Sequence, residues 1–370
     1  MMFQTIFIYS LVFLVLFFSG IISYKRTDNR NIPVSFFRFE IWLPIFVFTI
    51  IYGLRYDVGE DHLSYLYNYK TGNDIDRYEP IVYFITSLFK EQGFHYFWYF
   101  AFWVFIQITF FYYAINKEQY LLPFIVIPLI MGQYYFQWMN TIRQDTAACI
   151  FFFVVQYVID RKPIKYYLWC IILLGFHKSA LILFILYPLL VSGKDFTLNR
   201  FVQISLFISS FIIVITKVDI IATFFPYVSN YLIILGYDNY SEYVLNGLGD
   251  ITTAGNGLSV RLLFLVNLIV IYYSDKLKLY YNSRKFTIIY NLGFWGAFFQ
   301  QLCTNNLALA RPFRYFKLFT MMSIAYLLYY LFKNGRLPQN SIFFIITISL
   351  LFLMFIATII NEPFNFIWDA

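Results

Sequence analysis

Apolar and polar residues fall in long blocks along this chain rather than alternating residue by residue. Apolar runs near the 18-residue length that a helix needs to cross a hydrocarbon core recur from end to end. They lie at about 3–23, 36–54, 94–115, 121–138, 146–159, 201–217, 259–274, 286–304, 315–332 and 341–361. One more run, 166–192, contains "LLGFHKSALILF" (173–184), where His177 and Lys178 stand side by side. A titratable pair at membrane depth costs a few kcal/mol, so its placement needs a cause.

The loops between runs supply sidedness. Lys25, Arg26 and Arg30 follow the first run, and Lys117 follows the third. "DRKPIK" (160–165), Lys194 with Arg200, Lys276 to Lys285, and Lys333 with Arg336 are the other basic clusters. Such clusters mark the cytoplasmic side. The chain is then inside at 160–165 and inside again at 194–200, so 166–192 crosses an even number of times. About 27 residues rising 1.5 Å each cannot make two full crossings of a roughly 30 Å core. The run is therefore expected to be two short or broken helices, bent near Gly175, His177 and Lys178. Non-helical backbone at that depth belongs against protein or a wet cavity, which would open to the outer face.

These readings predict an all-α polytopic membrane protein of about twelve segments, two of them short or re-entrant. Residues 1–370 form one integral membrane domain, with external loops at 55–92 and 218–258. Within the first loop "IVYFITSLF" (81–89) is too short to span and is expected at the interface. The second holds the Gly-rich "GLGDITTAGNG" (247–257), the kind of long loop that often serves as a lid. The opening run has no basic n-region and no small-residue cleavage site, so it reads as a first span and not a removed signal peptide.

Composition agrees: 61% of the 370 residues are hydrophobic and 13% charged, against about 25% charged in soluble domains. The net charge of +7 sits in short loops and forms no soluble basic face, which excludes nucleic-acid binding. Three cysteines, Cys149, Cys170 and Cys303, lie in or near apolar runs without metal spacing and read as buried small apolar residues.

The external side carries more arginine than the positive-inside bias predicts: Arg55, Arg77, Arg143, Arg261, Arg311 and Arg314. Arginine's planar fork makes two charge-assisted bonds to one oxyanion group, so such a set suits a lipid pyrophosphate. Headgroup anchoring and pairing with nearby carboxylates are the plainer alternatives. "RYDVGEDHLSY" (55–65) gathers Arg55, Asp57, Glu60, Asp61 and His62, and "RYEP" (77–80) adds Glu79. Asp61 and His62 are conceivable metal ligands, but adjacent residues rarely converge on one ion alone. "NTIRQD" (140–145) opens one run and "ARPFRYF" (310–316) another. An acceptor hydroxyl needs a base matched to the working pH. His177 is the natural candidate, with Lys178 expected to keep it neutral and Asp61 and Glu79 as rivals. For His177 the plain alternative is a bend residue bonded to the backbone.

At these residues the sequence resembles the EpsG-type, Wzy-like membrane polymerases of bacterial surface polysaccharides. The resemblance is carried by Arg55, Gly59 and Asp61 after an early span, by the pair Arg143–Gln144 opening a mid-chain span, and by Phe176, His177, Ser179 and Ala180. Arg261, Arg311 and Arg314 near late external loops complete it, over roughly 50–320. His62 replaces the aromatic that often follows the Asp, and the late loops match loosely. The resemblance implies a GT-C-like, all-helical glycosyltransferase in the bacterial inner membrane, working at the periplasmic face. It would move a growing glycan from undecaprenyl pyrophosphate to a sugar hydroxyl of another lipid-linked repeat, without metal or other cofactor. Arg55, Arg143, Gln144, Lys178, Arg261, Arg311 and Arg314 would hold the pyrophosphate, and His177, Asp61 or Glu79 would act on the hydroxyl. Membrane lipids and a chain-length regulator are the further partners expected. An O-antigen ligase-type transferase, a transporter or flippase, and a membrane acyltransferase are the rival readings.

Overall fold

The computed structural model describes residues 2–27, 35–216, 257–304 and 310–368. The described helices are α1 (Met2–Thr27), α2 (Phe39–Gly53), α3 (His62–Thr71), α4 (Pro80–Glu91), α5 (Tyr96–Ile115), α6 (Leu122–Met131), α7 (Phe136–Asn140), α8 (Ile142–Val154), α9 (Gln156–Ile159) and α10 (Pro163–Leu174). They continue with α11 (Leu186–Leu190), α12 (Arg200–Thr216), α13 (Leu258–Tyr272), α14 (Ser274–Tyr281), α15 (Arg284–Leu302), α16 (Lys317–Lys333) and α17 (Pro338–Asn361). Segments 116–121, 178–185 and 311–316 are 3₁₀. The expected all-α class is what the described residues form, each apolar run having become helix. The external loop expected at 218–258 falls almost wholly outside the described residues.

Five helical stretches among the described residues are long and apolar enough to cross a membrane: Met2–Thr27, Tyr96–Met131, Ile142–Ile159, Arg311–Lys333 and Pro338–Asn361. A sixth is counted if α13 and α14, bent by 56°, are taken together. The Tyr96–Met131 stretch is interrupted at Glu118, whose φ of −131° and ψ of 41° are not helical. Phe39–Gly53, Pro163–Leu174, Lys178–Leu190 and Arg200–Thr216 are shorter apolar helices. The run 121–138 is not one element: Gly132 ends α6, Gln133 has a φ of +62°, and the short α7 follows. α1 packs on α2 and α6, α2 on α5, α5 on α8, and α15 on α16.

The charged loops test the parity argument directly. Arg26 and Arg38 pair with Glu40 at 2.8 and 2.9 Å, and Ser23 donates to Gln119. Lys285 reaches Glu118 at 2.5 Å, Lys117 reaches Asp160 at 3.9 Å, and Lys278 reaches Asp195 at 2.7 Å. Arg284 donates to the carbonyls of Val158, Ile159 and Val191. So the basic loops expected on one face are bonded to one another at one end of the bundle. At the other end, Tyr56 N–H donates to the Asn365 carbonyl, Glu60 N–H to Asn140, and Ile81 N–H to the Gly175 carbonyl.

The run 166–192 obeys this pattern. Arg284 ties its two flanks together, and the chain turns back at 175–177. α10 has 12 residues and rises roughly 18 Å. The return leg, Lys178–Leu190, winds as 3₁₀ over Lys178–Ile185, which gains about 2.0 Å per residue instead of 1.5. Gly175 lies where an added Cβ would meet the Ile81 side chain at 2.6 Å, so α4 closes directly over the turn. The segment 55–92, expected as a loop, is mostly helical: α3 and α4 fill it. α4 buries Val82 and Thr86 and exposes Tyr83, Phe84 and Leu88, the two-faced pattern expected of an interfacial segment.

Candidate active site

Glu79 precedes Pro80 at the start of α4, and only 6% of it is exposed. A carboxylate that deep needs donors. Arg143, in the first turn of α8, supplies one to Oε2 at 2.6 Å, and the backbone N–H of Lys178 supplies another to Oε1 at 3.2 Å. The Arg143 guanidinium also lies 4.7 Å over the Tyr78 ring. Two sequence-distant segments are thus clamped to the turn that carries His177.

The His177 Nδ1 lies 2.6 Å from the Ser179 hydroxyl and accepts the Ser179 backbone N–H at 3.2 Å. A backbone N–H can only donate, so the neutral ring carries its proton on Nε2. The Ser179 hydroxyl is further bonded to Tyr315 at 3.1 Å and accepts from Gln144 at 3.2 Å. Gln144 also donates to the Arg311 carbonyl at 2.6 Å. This fixes the 3₁₀ segment Arg311–Phe316 against the turn. Burial, with Arg143, Arg311 and Arg314 acting in the same sense and Glu79 opposing, pulls the His177 ring down to about 4. The Lys178 side chain, expected to keep His177 neutral, is exposed; burial is the main cause and arginines are the cationic one.

Arg314 donates to the Thr141 hydroxyl at 2.9 Å, and that hydroxyl donates to the buried Asp145 carboxylate. Lys317 is a second cation close to Asp145. Beside this group lies a cavity of about 480 Å³, lined among others by Arg314, Lys317, Gln137, Asn267 and Glu362.

So Glu79, Arg143, Gln144, His177, Arg311 and Arg314 come together from four separate stretches. Asp61 stands at the edge, at the N-terminus of α3; Tyr65 neighbours both its carboxylate and Arg143. Arg55 stands apart. It is 1% exposed, donates to the Tyr52 carbonyl at 2.6 Å and lies 4.9 Å over the Phe100 ring; the backbone beside it pairs with the C-terminal tail through Tyr56 N–H to the Asn365 carbonyl and Ile367 N–H to the Leu54 carbonyl. His62 is fully buried and stacked on Phe100 at 4.4 Å; burial, then Arg55, pulls its ring down to about 2. Arg261 is exposed in the first turn of α13, and no bond joins it to the cluster among the described residues. The three cysteines are buried and free. Among the described residues no three His, Cys, Asp or Glu side chains are placed to hold a metal ion.

Ser179, Tyr315, Thr141, Asp145 and Lys317 belong to the cluster and were not singled out as site residues. Lys317 carried a signal, three residues after Arg314 on one helix face, and Asp145 sat inside a segment already quoted. Glu362 carried none.

Recurring apolar helices mark the chain as a multi-pass membrane protein, and the family it matches is one of the polysaccharide-polymerase type. The EpsG family model matches residues 40–368, and the chain belongs to the EpsG family. No curated protein and no solved structure matches the chain.

Proposed function

We propose that this protein is a glycosyltransferase that polymerises lipid-linked oligosaccharide repeats. It takes the growing glycan from undecaprenyl pyrophosphate and passes it to a sugar hydroxyl of the next lipid-linked repeat, at the periplasmic face of the bacterial inner membrane. The observation that carries the reading is the convergence of Arg143, Arg311 and Arg314 with Glu79 and His177 at the turn of the broken pair. A pyrophosphate leaving group gains charge as its bond to sugar C1 breaks, and fixed cations in a water-poor site stabilise that charge. The arginines can do this without a metal. Gln144 fixes the backbone of Arg311, and Glu79 fixes Arg143, so the cations are held before substrate arrives. Asp61 stands beside Tyr65 at the rim, able to meet a substrate hydroxyl. Lys178, exposed next to the turn, suits the lipid headgroup region.

His177 serves best here as a neutral Nε2–H donor to a phosphate or sugar oxygen, because its Nδ1 lone pair is already engaged. In this reading the shorter apolar helices, both halves of Tyr96–Met131, the bent α13–α14 pair and α15 are also membrane segments, a count of about twelve in a single GT-C-like membrane domain. Purified protein given lipid-linked repeats is expected to produce a ladder of lengthening glycans. Intact substrate with no ladder refutes the proposal; transfer to a lipid A core acceptor and not to a second repeat favours a ligase.

A further inference from the structure

The roughly 480 Å³ cavity is bounded by α7, α13, α15, α16 and α17 and shares Arg314 and Lys317 with the cluster near His177. Its size lies within the range of about 300–1,000 Å³ typical of small-molecule sites. Its lining mixes apolar rings, Tyr134, Phe136 and Phe264, with the amides Gln137, Asn267 and Gln300. The buried Tyr134 hydroxyl and Gln137 Oε1 have no hydrogen-bond partner among the described residues. Unsatisfied buried polar atoms call for an explanation, and a ligand rich in hydroxyls provides one. Arg314 and Lys317 line the same cavity. So does Glu362, which follows the last residue of α17.

Glu362 differs from the two carboxylates inside the cluster. Glu79 is locked to Arg143 and Asp145 to Thr141. Among the described residues no cation lies within ion-pair distance of Glu362. Its backbone carbonyl is held by the Tyr9 hydroxyl at 3.0 Å, so the residue is fixed while its carboxylate has no ion-pair partner among the described residues. Burial, and then Glu60, raises its proton affinity above that of an ordinary glutamate.

We propose that this cavity is the acceptor-sugar subsite and that Glu362 takes the acceptor proton. The inference rests on the polymerase reading for the identity of its acceptor. The acceptor hydroxyl oxygen forms a bond to C1 of the donor sugar. The bond from C1 to the pyrophosphate oxygen breaks, and its electron pair leaves on the phosphate beside Arg314 and Lys317. The hydroxyl proton passes to the Glu362 carboxylate. Tyr134, Gln137 and Asn267 hold the remaining sugar hydroxyls.

Two readouts keep this inference separate from the polymerase reading. The first is saturation-transfer NMR of the full chain in nanodiscs with free methyl pyranosides, which needs no turnover. Wild type is expected to give transfer, and Gln137→Leu and Tyr134→Phe to reduce it at least fivefold; no transfer, or equal transfer in the variants, overturns the subsite. The second is polymerisation rate. Glu362→Gln is expected to lower kcat by about 10²–10⁴, the span of general-base catalysis, with the KM for donor within twofold and partial recovery in Glu362→Asp. A Glu362→Gln enzyme within threefold of wild type overturns the proton-acceptor role. If wild type makes no ladder, the reaction fails and Glu362's role with it, while the NMR arm still decides the subsite.

Discussion

Replacing Arg143 by Met isolates what the Glu79–Arg143 pair does for the fold. Glu79 is 6% exposed and would lose its 2.6 Å charged donor, keeping only the Lys178 N–H at 3.2 Å. Removing one partner of a buried pair costs about 3–5 kcal/mol. The Arg143 side chain is 27% exposed, so water screens part of the pair and the cost falls below that range, to about 2–3 kcal/mol. Losing the contact with the Tyr78 ring adds about 0.5–1 kcal/mol, for a total near 3 kcal/mol. Glu79→Gln keeps the volume and strands a half-solvated cation, and is expected to cost about 1–2 kcal/mol. The double variant leaves no buried charge. It should be less destabilised than the sum of the single variants by at least about 1 kcal/mol, the lower range for contacting residues. Unfolding free energies from SDS titration of the purified protein in mixed micelles measure all four corners. Additivity within about 0.5 kcal/mol would show that the pair is not a coupled element holding the His177 turn.

Arg311→Met and Arg314→Met are expected to lower kcat by roughly 10²–10³, the cost of losing one stabilising donor, whereas Arg261→Ala stays within about threefold; equal losses at all three in a polymerisation assay would remove the cluster's special standing. Gly59→Ala is expected to destabilise by about 2 kcal/mol: φ is +93° and the new Cβ meets the Asn140 side-chain oxygen, combining a left-handed strain of about 1–2 kcal/mol with a disturbed hydrogen bond. A thermal midpoint unchanged within 1 °C counts against this, given about 1.3 °C per kcal/mol for 370 residues at about 2.1 cal/mol/K each. His177 has a folded value of about 4, below the ordinary value near 6.5, so its neutral form contributes stability that is complete above about 6.5 and declines as pH falls towards 4. Between pH 5 and 8 the rate should therefore show no limb belonging to His177; a limb near 6.5 that vanishes in His177→Gln would contradict the assigned ring environment.

The sequence alone determined most of the long apolar helices and their order, though not α3 within the expected loop or the break of 121–138 at Gly132–Gln133. Apolar runs became helix because backbone groups in hydrocarbon must be satisfied within the segment, so 3–23 emerged as Met2–Thr27 and 341–361 as Pro338–Asn361. Charge parity located the turn at His177, since both flanks of 166–192 carry basic residues that have to share one end. Tertiary structure decided which external arginines meet. Arg55 and Arg143 look alike in sequence, each opening or closing an apolar run beside polar residues. Yet Arg55 is taken by the Tyr52 carbonyl and Phe100, while Arg143 is taken by Glu79. Sequence spacing does not encode such choices, because they depend on which helix packs beside which. The same holds for Glu362, which reaches the cavity because α17, whose Met354, Ala357, Thr358 and Asn361 also line it, packs against α13. The 3₁₀ winding of Lys178–Ile185 was likewise not legible, since an apolar stretch of that composition suits either winding.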